Sequence, residues 1–146
     1  MELGEPLFFR FAAWVMWGEV ADGYTINMHP MAFAAWFGLL ATALNLFPIG
    51  QLDGGHIAYA VFGRLSTVIT IVMIGVAIGL TFVSSSWIAW TVLLVVMTVL
   101  MGPQHPPTLD EDEQLDGRRL VLAAVALAIL IVCFTPAPIG PFIGAP

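Results

Sequence analysis

Three long stretches of this chain contain no aspartate, glutamate, lysine or arginine: Gly23 to Leu52, Leu65 to Met101, and Leu120 to the C-terminus. A bilayer's hydrocarbon core is about 30 Å thick and is crossed by about 20 apolar helical residues, so each stretch is long enough to reach across. A soluble domain carries about 25% charged residues to wet its surface, whereas only 10% of these 146 residues are charged and 60% are hydrophobic. The pattern predicts an all-α, polytopic transmembrane helix bundle. Leu65 to Met101 is too long for one span at about 1.5 Å per residue, and Ser84, Ser85 and Ser86 interrupt it. About four spans are therefore expected, over 31–48, 65–83, 87–101 and 119–135. The last two are short and need flanking residues or local thinning of the bilayer.

The basic complement is Arg10, Arg64, Arg118 and Arg119, with no lysine. This excludes a nucleic-acid-binding surface. If all four segments span, Arg64, Arg118 and Arg119 fall on one side, which the distribution of positive charge makes cytoplasmic. Five of the ten acids crowd into Asp110 to Asp116, so 102–118 reads as an acidic cytoplasmic loop, with both termini on the opposite side. Residues 1–30 read as an interfacial, extracytoplasmic segment: LFFRFAAWVMWG is aromatic and apolar around one arginine but too short to span. Glu2 and Glu5 stand where a signal peptide would be positive. The Pro- and Gly-rich end, 136–146, is expected to be irregular, and 1–146 is read as a single membrane domain. Cys133 has no partner cysteine and reads as a packing residue. The five tryptophans mostly lie near proposed span ends, as in an interfacial aromatic belt.

Chemistry concentrates in Asn45 to His56, NLFPIGQLDGGH. A carboxylate within an apolar run costs about 2.5 to 3.5 kcal/mol at a helix centre, which makes Asp53 a functional candidate. Pro48 and Gly50 break the helix before it, and Gly54 and Gly55 follow it. Irregular backbone at membrane depth is tolerated only when buried in protein or lining a wet cavity, so a bundle-interior site is expected. Asp53 reads equally as the cap of a helix running from Gly54 to Arg64. His29 precedes Pro30 at a helix start and reads as an entry-turn residue; His105, in QHPP, is given no chemistry.

Asn45, Pro48, Leu52, Asp53 and Gly54 match the N-x-x-P-x-x-x-L-D-G pattern of the site-2 proteases, the intramembrane zinc metalloproteases. LGEPLFF, HPMAFAAWFGLLATALNLFPIGQLDGGH and GPQHPPTLD all resemble one polytopic branch of that family. The resemblance implies that Asp53 is the third zinc ligand, beside two histidines of an H-E-x-x-H helix whose glutamate is the general base. It implies that Asn45 orients substrate or steadies the developing oxyanion; an interhelical hydrogen bond is its other reading. His56, three residues after Asp53, reads either as a hydrogen-bond partner of the zinc carboxylate or as an interfacial polar residue.

The chain departs from the family in one respect. Its histidines are followed by PMAF, IAYA and PPTL, so H-E-x-x-H is absent. Zinc is tightly held by three protein ligands, so the chain alone is not expected to hold it tightly or to hydrolyse peptides. It reads as the C-terminal portion of a zinc metalloprotease, with the bilayer, a transmembrane protein substrate and the half carrying H-E-x-x-H as partners. A non-catalytic membrane binding or regulatory protein derived from that family is the alternative. A transporter or channel using Asp53 is a third reading, which calls for a second interrupted polar segment that the later spans lack.

Overall fold

The computed structural model describes residues 2–19, 28–102 and 115–140. It is helical. In chain order the helices are α1 (Leu7–Trp17), α2 (Pro30–Leu46), α3 (Asp53–Phe62), α4 (Ser66–Thr81), α5 (Ser86–Met101) and α6 (Gly117–Cys133), with a single 3₁₀ turn, Gly63–Leu65, between α3 and α4. Helices α2, α4, α5 and α6 lie over the four stretches that the sequence marks out, each boundary within a few residues. The reason is the same in each: an uninterrupted apolar run ended by residues that cannot continue it. Pro48 follows α2; Gly102, at φ +84°, ends α5; Thr81 to Ser86 carries the turn expected from the serine triplet.

Among the described residues two helix caps use side chains. His29 Nδ1 accepts from the Met31 amide at 3.2 Å, giving the entry-turn role expected of it. Asp116 accepts from the Arg119 amide at 2.9 Å and starts α6. His105 and most of the acidic loop, 103–114, lie outside the described residues.

Among the described residues one helical run, Asp53–Thr81, is long and apolar enough to cross a membrane by length and composition. It is not one straight rod. From Asp53 to Thr70 a continuous helix would extend about 25 Å, yet the Gly50 amide donates to Thr70 Oγ1 at 3.0 Å. The chain reverses at Gly63, whose φ of +56° is open to glycine and strained for other residues, and α4 packs back along α3.

The core joins the junction after α2 to the α4–α5 hairpin and the end of α6. Phe47, Ile49, Ala77, Trp87 and Leu94 are buried together, with Phe134 packed against them. The rings of Phe47, Trp87 and Phe134 stand 5.8 to 5.9 Å apart, each pair tilted, within the range in which aromatic pairs attract. Most other large apolar side chains of α4, α5 and α6 face outward, the reverse of a water-soluble bundle.

Two expectations are corrected. Residues 136–146 are not wholly irregular: Ile139–Gly140 forms a two-residue strand, β2, paired antiparallel with β1, Glu2–Leu3. The Gly4 amide extends the pairing to the Pro138 carbonyl at 2.9 Å. Nor do the tryptophans form one interfacial belt. Trp36 and Trp87 are 0% and 1% exposed, and their indole N–H groups donate to the carbonyls of Gly4 (2.6 Å) and Pro136 (2.8 Å). An indole can be buried when its one donor is satisfied, and the paired terminal segments supply both acceptors. Trp14 and Trp17, on α1, are exposed.

Candidate metal-ligand junction

The candidate site is built where α2 stops and α3 starts. Phe47 closes α2 with its amide on the Leu44 carbonyl, Ile49 turns back to Phe47 at 2.7 Å, and Leu52 to Ile49 at 3.1 Å. Gly50, at φ +51°, is the pivot. Its amide would be orphaned in an apolar interior were it not for Thr70 Oγ1, reaching across from α4. Thr70 is 3% exposed, so this bond is dry and costly to remove. The sequence held no signal for it beyond a hydroxyl in an apolar run.

The two glycines after Asp53 are required by proximity. A Cβ on Gly54 would collide with the Leu46 carbonyl, and one on Gly55 with the Gly50 carbonyl and, at 2.9 Å, with that of Ile49. The first turn of α3 is thus seated directly on the last turn of α2. Asn45 and Asp53, the sequence neighbours of Leu46 and Gly54, therefore flank one junction.

Asp53 is the first residue of α3. Leu52 holds the cap position and no side chain caps the helix, so Asp53 does not act as a cap. Asn45, Asp53 and His56 are all exposed in this chain, whereas a bundle-interior position was expected for Asp53. The interior here is taken by Phe47, Ile49, Gly54 and Gly55, which leaves the polar residues on the outer side. His56 donates its amide to the Leu52 carbonyl at 3.0 Å.

Among the described residues no group of three or more histidine, cysteine, aspartate or glutamate side chains lies together. Asp53, an exposed carboxylate on a braced helix start, suits one corner of a zinc site. The described residues do not furnish the rest of such a site.

The segment from Asn45 to Gly54 thus forms a helix-to-helix junction with Asn45 and Asp53 exposed on it. Residues 12–85, which contain the whole junction, match peptidase family M50, and the chain belongs to that family. It is 33% identical over 132 residues to the probable zinc metalloprotease EGY3, chloroplastic, of Oryza sativa subsp. japonica, covering 88% of this chain and 22% of that protein. It is 30% identical over 131 residues to rice EGY2 (87% and 23%) and 31% identical over 118 residues to Arabidopsis thaliana EGY3 (80% and 20%). The chain thus spans about a fifth of the length of these relatives. Their names make zinc the expected cofactor. No solved structure matches the chain.

Proposed function

We propose that this chain is the C-terminal part of an intramembrane zinc metalloprotease, supplying Asp53 as the third zinc ligand and Asn45 as the group that orients the substrate peptide. The junction carries this reading: Asn45 and Asp53 flank one braced contact, both open to the outside, within the part of the chain that matches the family. Zinc, when held by the full ligand set, lowers the pKa of a bound water and polarises a carbonyl. This chain's contribution is geometric. Gly54, Gly55 and the Gly50–Thr70 bond hold one carboxylate and one amide in register, ready for a partner segment bearing H-E-x-x-H.

In this reading α2, α4, α5 and α6 are four membrane spans. Sixteen or seventeen residues each give about 24 to 26 Å, a few ångströms short of a typical hydrocarbon core, which thinning and flanking residues make up. The loop 102–118 is cytoplasmic and the termini face the other side. The substrate is a membrane-embedded segment of another protein.

Co-expression with a membrane segment carrying H-E-x-x-H tests the proposal, since transmembrane helices associate after separate insertion. Cleavage of a membrane-embedded reporter is expected from the pair and from neither part alone. Asp53→Asn should abolish it. Full activity in that variant, with zinc retained, would sink the reading.

A further inference from the structure

The outward faces of α5 and α6 each carry an apolar band of limited height. On α5 the exposed large apolar side chains run from Ile88 to Met101, thirteen residues later, or about 20 Å. On α6 they run from Leu120 to Val132, twelve residues later, or about 18 Å.

Both bands are bracketed by polar groups. α6 begins at the exposed pair Asp116 and Arg119, 3.9 Å apart, with exposed Arg118 beside them. Past its other end, Thr135 lies against Gly4. Glu5 follows Gly4, and its carboxylate stands 3.8 Å from Arg10 Nε, both side chains about two-thirds exposed. Arg119 to Thr135 is sixteen residues, about 24 Å along a helix. At the start of α5 the Ser84 hydroxyl pairs with that of Ser86 at 2.8 Å and donates to the Ile139 carbonyl of β2 at 3.3 Å. The start of α5 and the end of α6 thus meet at the paired terminal segments. From Ser86 to Gly102, which closes α5, is again sixteen residues, about 24 Å.

A hydrocarbon core of about 30 Å exceeds both brackets by about 6 Å. Tilt shortens a helix's projection on the bilayer normal, so it only widens the gap. The longer α4 sets no opposite limit. Arg64 and Ser84 are twenty residues apart, about 30 Å, and a long helix fits a thin layer by tilting, whereas a short one cannot stretch. Drawing the ends of α6 inward would carry Asp116, Arg119, Glu5 or Arg10 toward hydrocarbon, which opposes charge far more steeply than acyl chains oppose thinning. We infer, on the reading that α5 and α6 are membrane spans, that the chain is matched to a bilayer of short acyl chains, with a hydrocarbon layer about 24 Å thick, and is strained in a thicker one.

The test reconstitutes the whole chain in vesicles of three phosphatidylcholines that differ only in their acyl chains: dimyristoleoyl, dioleoyl and dierucoyl, in order of rising thickness. Urea unfolding followed by circular dichroism gives the ratio of folded to unfolded chain in each. That ratio should be greatest in dimyristoleoyl and fall about tenfold from there to dierucoyl. The double variant Arg118→Leu, Arg119→Leu lengthens the band of α6 while keeping the Asp116 cap, and should shrink the fall; if it loses helix, the wild-type series decides alone. A ratio equal in the three lipids, or greatest in dioleoyl or dierucoyl, overturns the proposal. An undiminished fall in a folded double variant overturns it too, since the charges would then not set the height. Release of the chain from all three vesicles by alkaline extraction would overturn the spanning reading as well, whereas an inserted chain indifferent to thickness would overturn this inference only.

Discussion

The amide of Gly50 and the hydroxyl of Thr70 meet at 3.0 Å in the dry interior, and this bond ties the turn before Asp53 to a helix twenty residues downstream. Removing the acceptor strands a buried N–H. Thr70→Val, close in shape, should therefore destabilise the folded chain by about 1 to 3 kcal/mol, while Thr70→Ser should retain most of the stability. Unfolding midpoints in detergent check this; a valine variant as stable as the wild type would show that the bond contributes nothing.

Gly54→Ala and Gly55→Ala place a methyl group against backbone carbonyls of the preceding turn, which cannot swing aside as a side chain can. Each should cost about 3 kcal/mol or more, or prevent folding. Gly75→Ala and Gly79→Ala, which meet nothing within 4 Å, should be neutral or mildly stabilising in their helix. Thermal unfolding of the four variants side by side measures the contrast.

Asp53 and Asn45 are exposed in this chain, so altering them should leave its unfolding midpoint nearly unchanged. In the co-expressed pair, Asp53→Asn should remove both zinc and cleavage, whereas Asn45→Ala should slow cleavage by about 10 to 1000 fold and keep the metal. Metal analysis of the purified pair separates the two. Equal zinc loss in both variants would deny Asn45 its separate role.

Purified alone in detergent, the chain should bind well under one zinc per molecule, because Asp53 contributes a single donor. Inductively coupled plasma analysis after gel filtration gives the ratio. A stoichiometric zinc that resists chelation would reveal a donor set beyond Asp53, with His56 the first residue to replace.

Topology is open to labelling. In a Cys133→Ala background, a cysteine in the loop 102–118 should resist an impermeant thiol reagent in intact cells, and one near Gly144 should react. The opposite pattern would invert the proposed orientation.

Much of the helical arrangement was legible because charge-free runs, Pro48 and the serine triplet are local signals. The junction was legible as a motif but not as a shape. That Gly54 touches Leu46 and that Thr70 serves Gly50 depend on where separate helices meet, and no period or spacing encodes it. The two buried tryptophans were misplaced for the same reason: Trp36 and Trp87 resemble belt residues until Gly4 and Pro136 are seen to accept their N–H groups. Strands of two residues, as at Ile139–Gly140, have no alternation to read. Asp53 was expected inside because a lone carboxylate is costly in lipid; in this chain Phe47 and Ile49 occupy the core and leave it outside.

The pairing of Glu2–Leu3 with Ile139–Gly140 sets an order of events in assembly. These partners are separated by nearly the whole described chain, and closing so large a loop from a disordered state costs about 4 kcal/mol in entropy. Once α2, α4, α5 and α6 are packed the ends are already near one another, and little of that entropy remains to be lost. The clasp should therefore form last. Trp36 and Trp87 keep unsatisfied indole donors until it does, so their fluorescence should report completion of the fold as a late phase, after helix formation has ended.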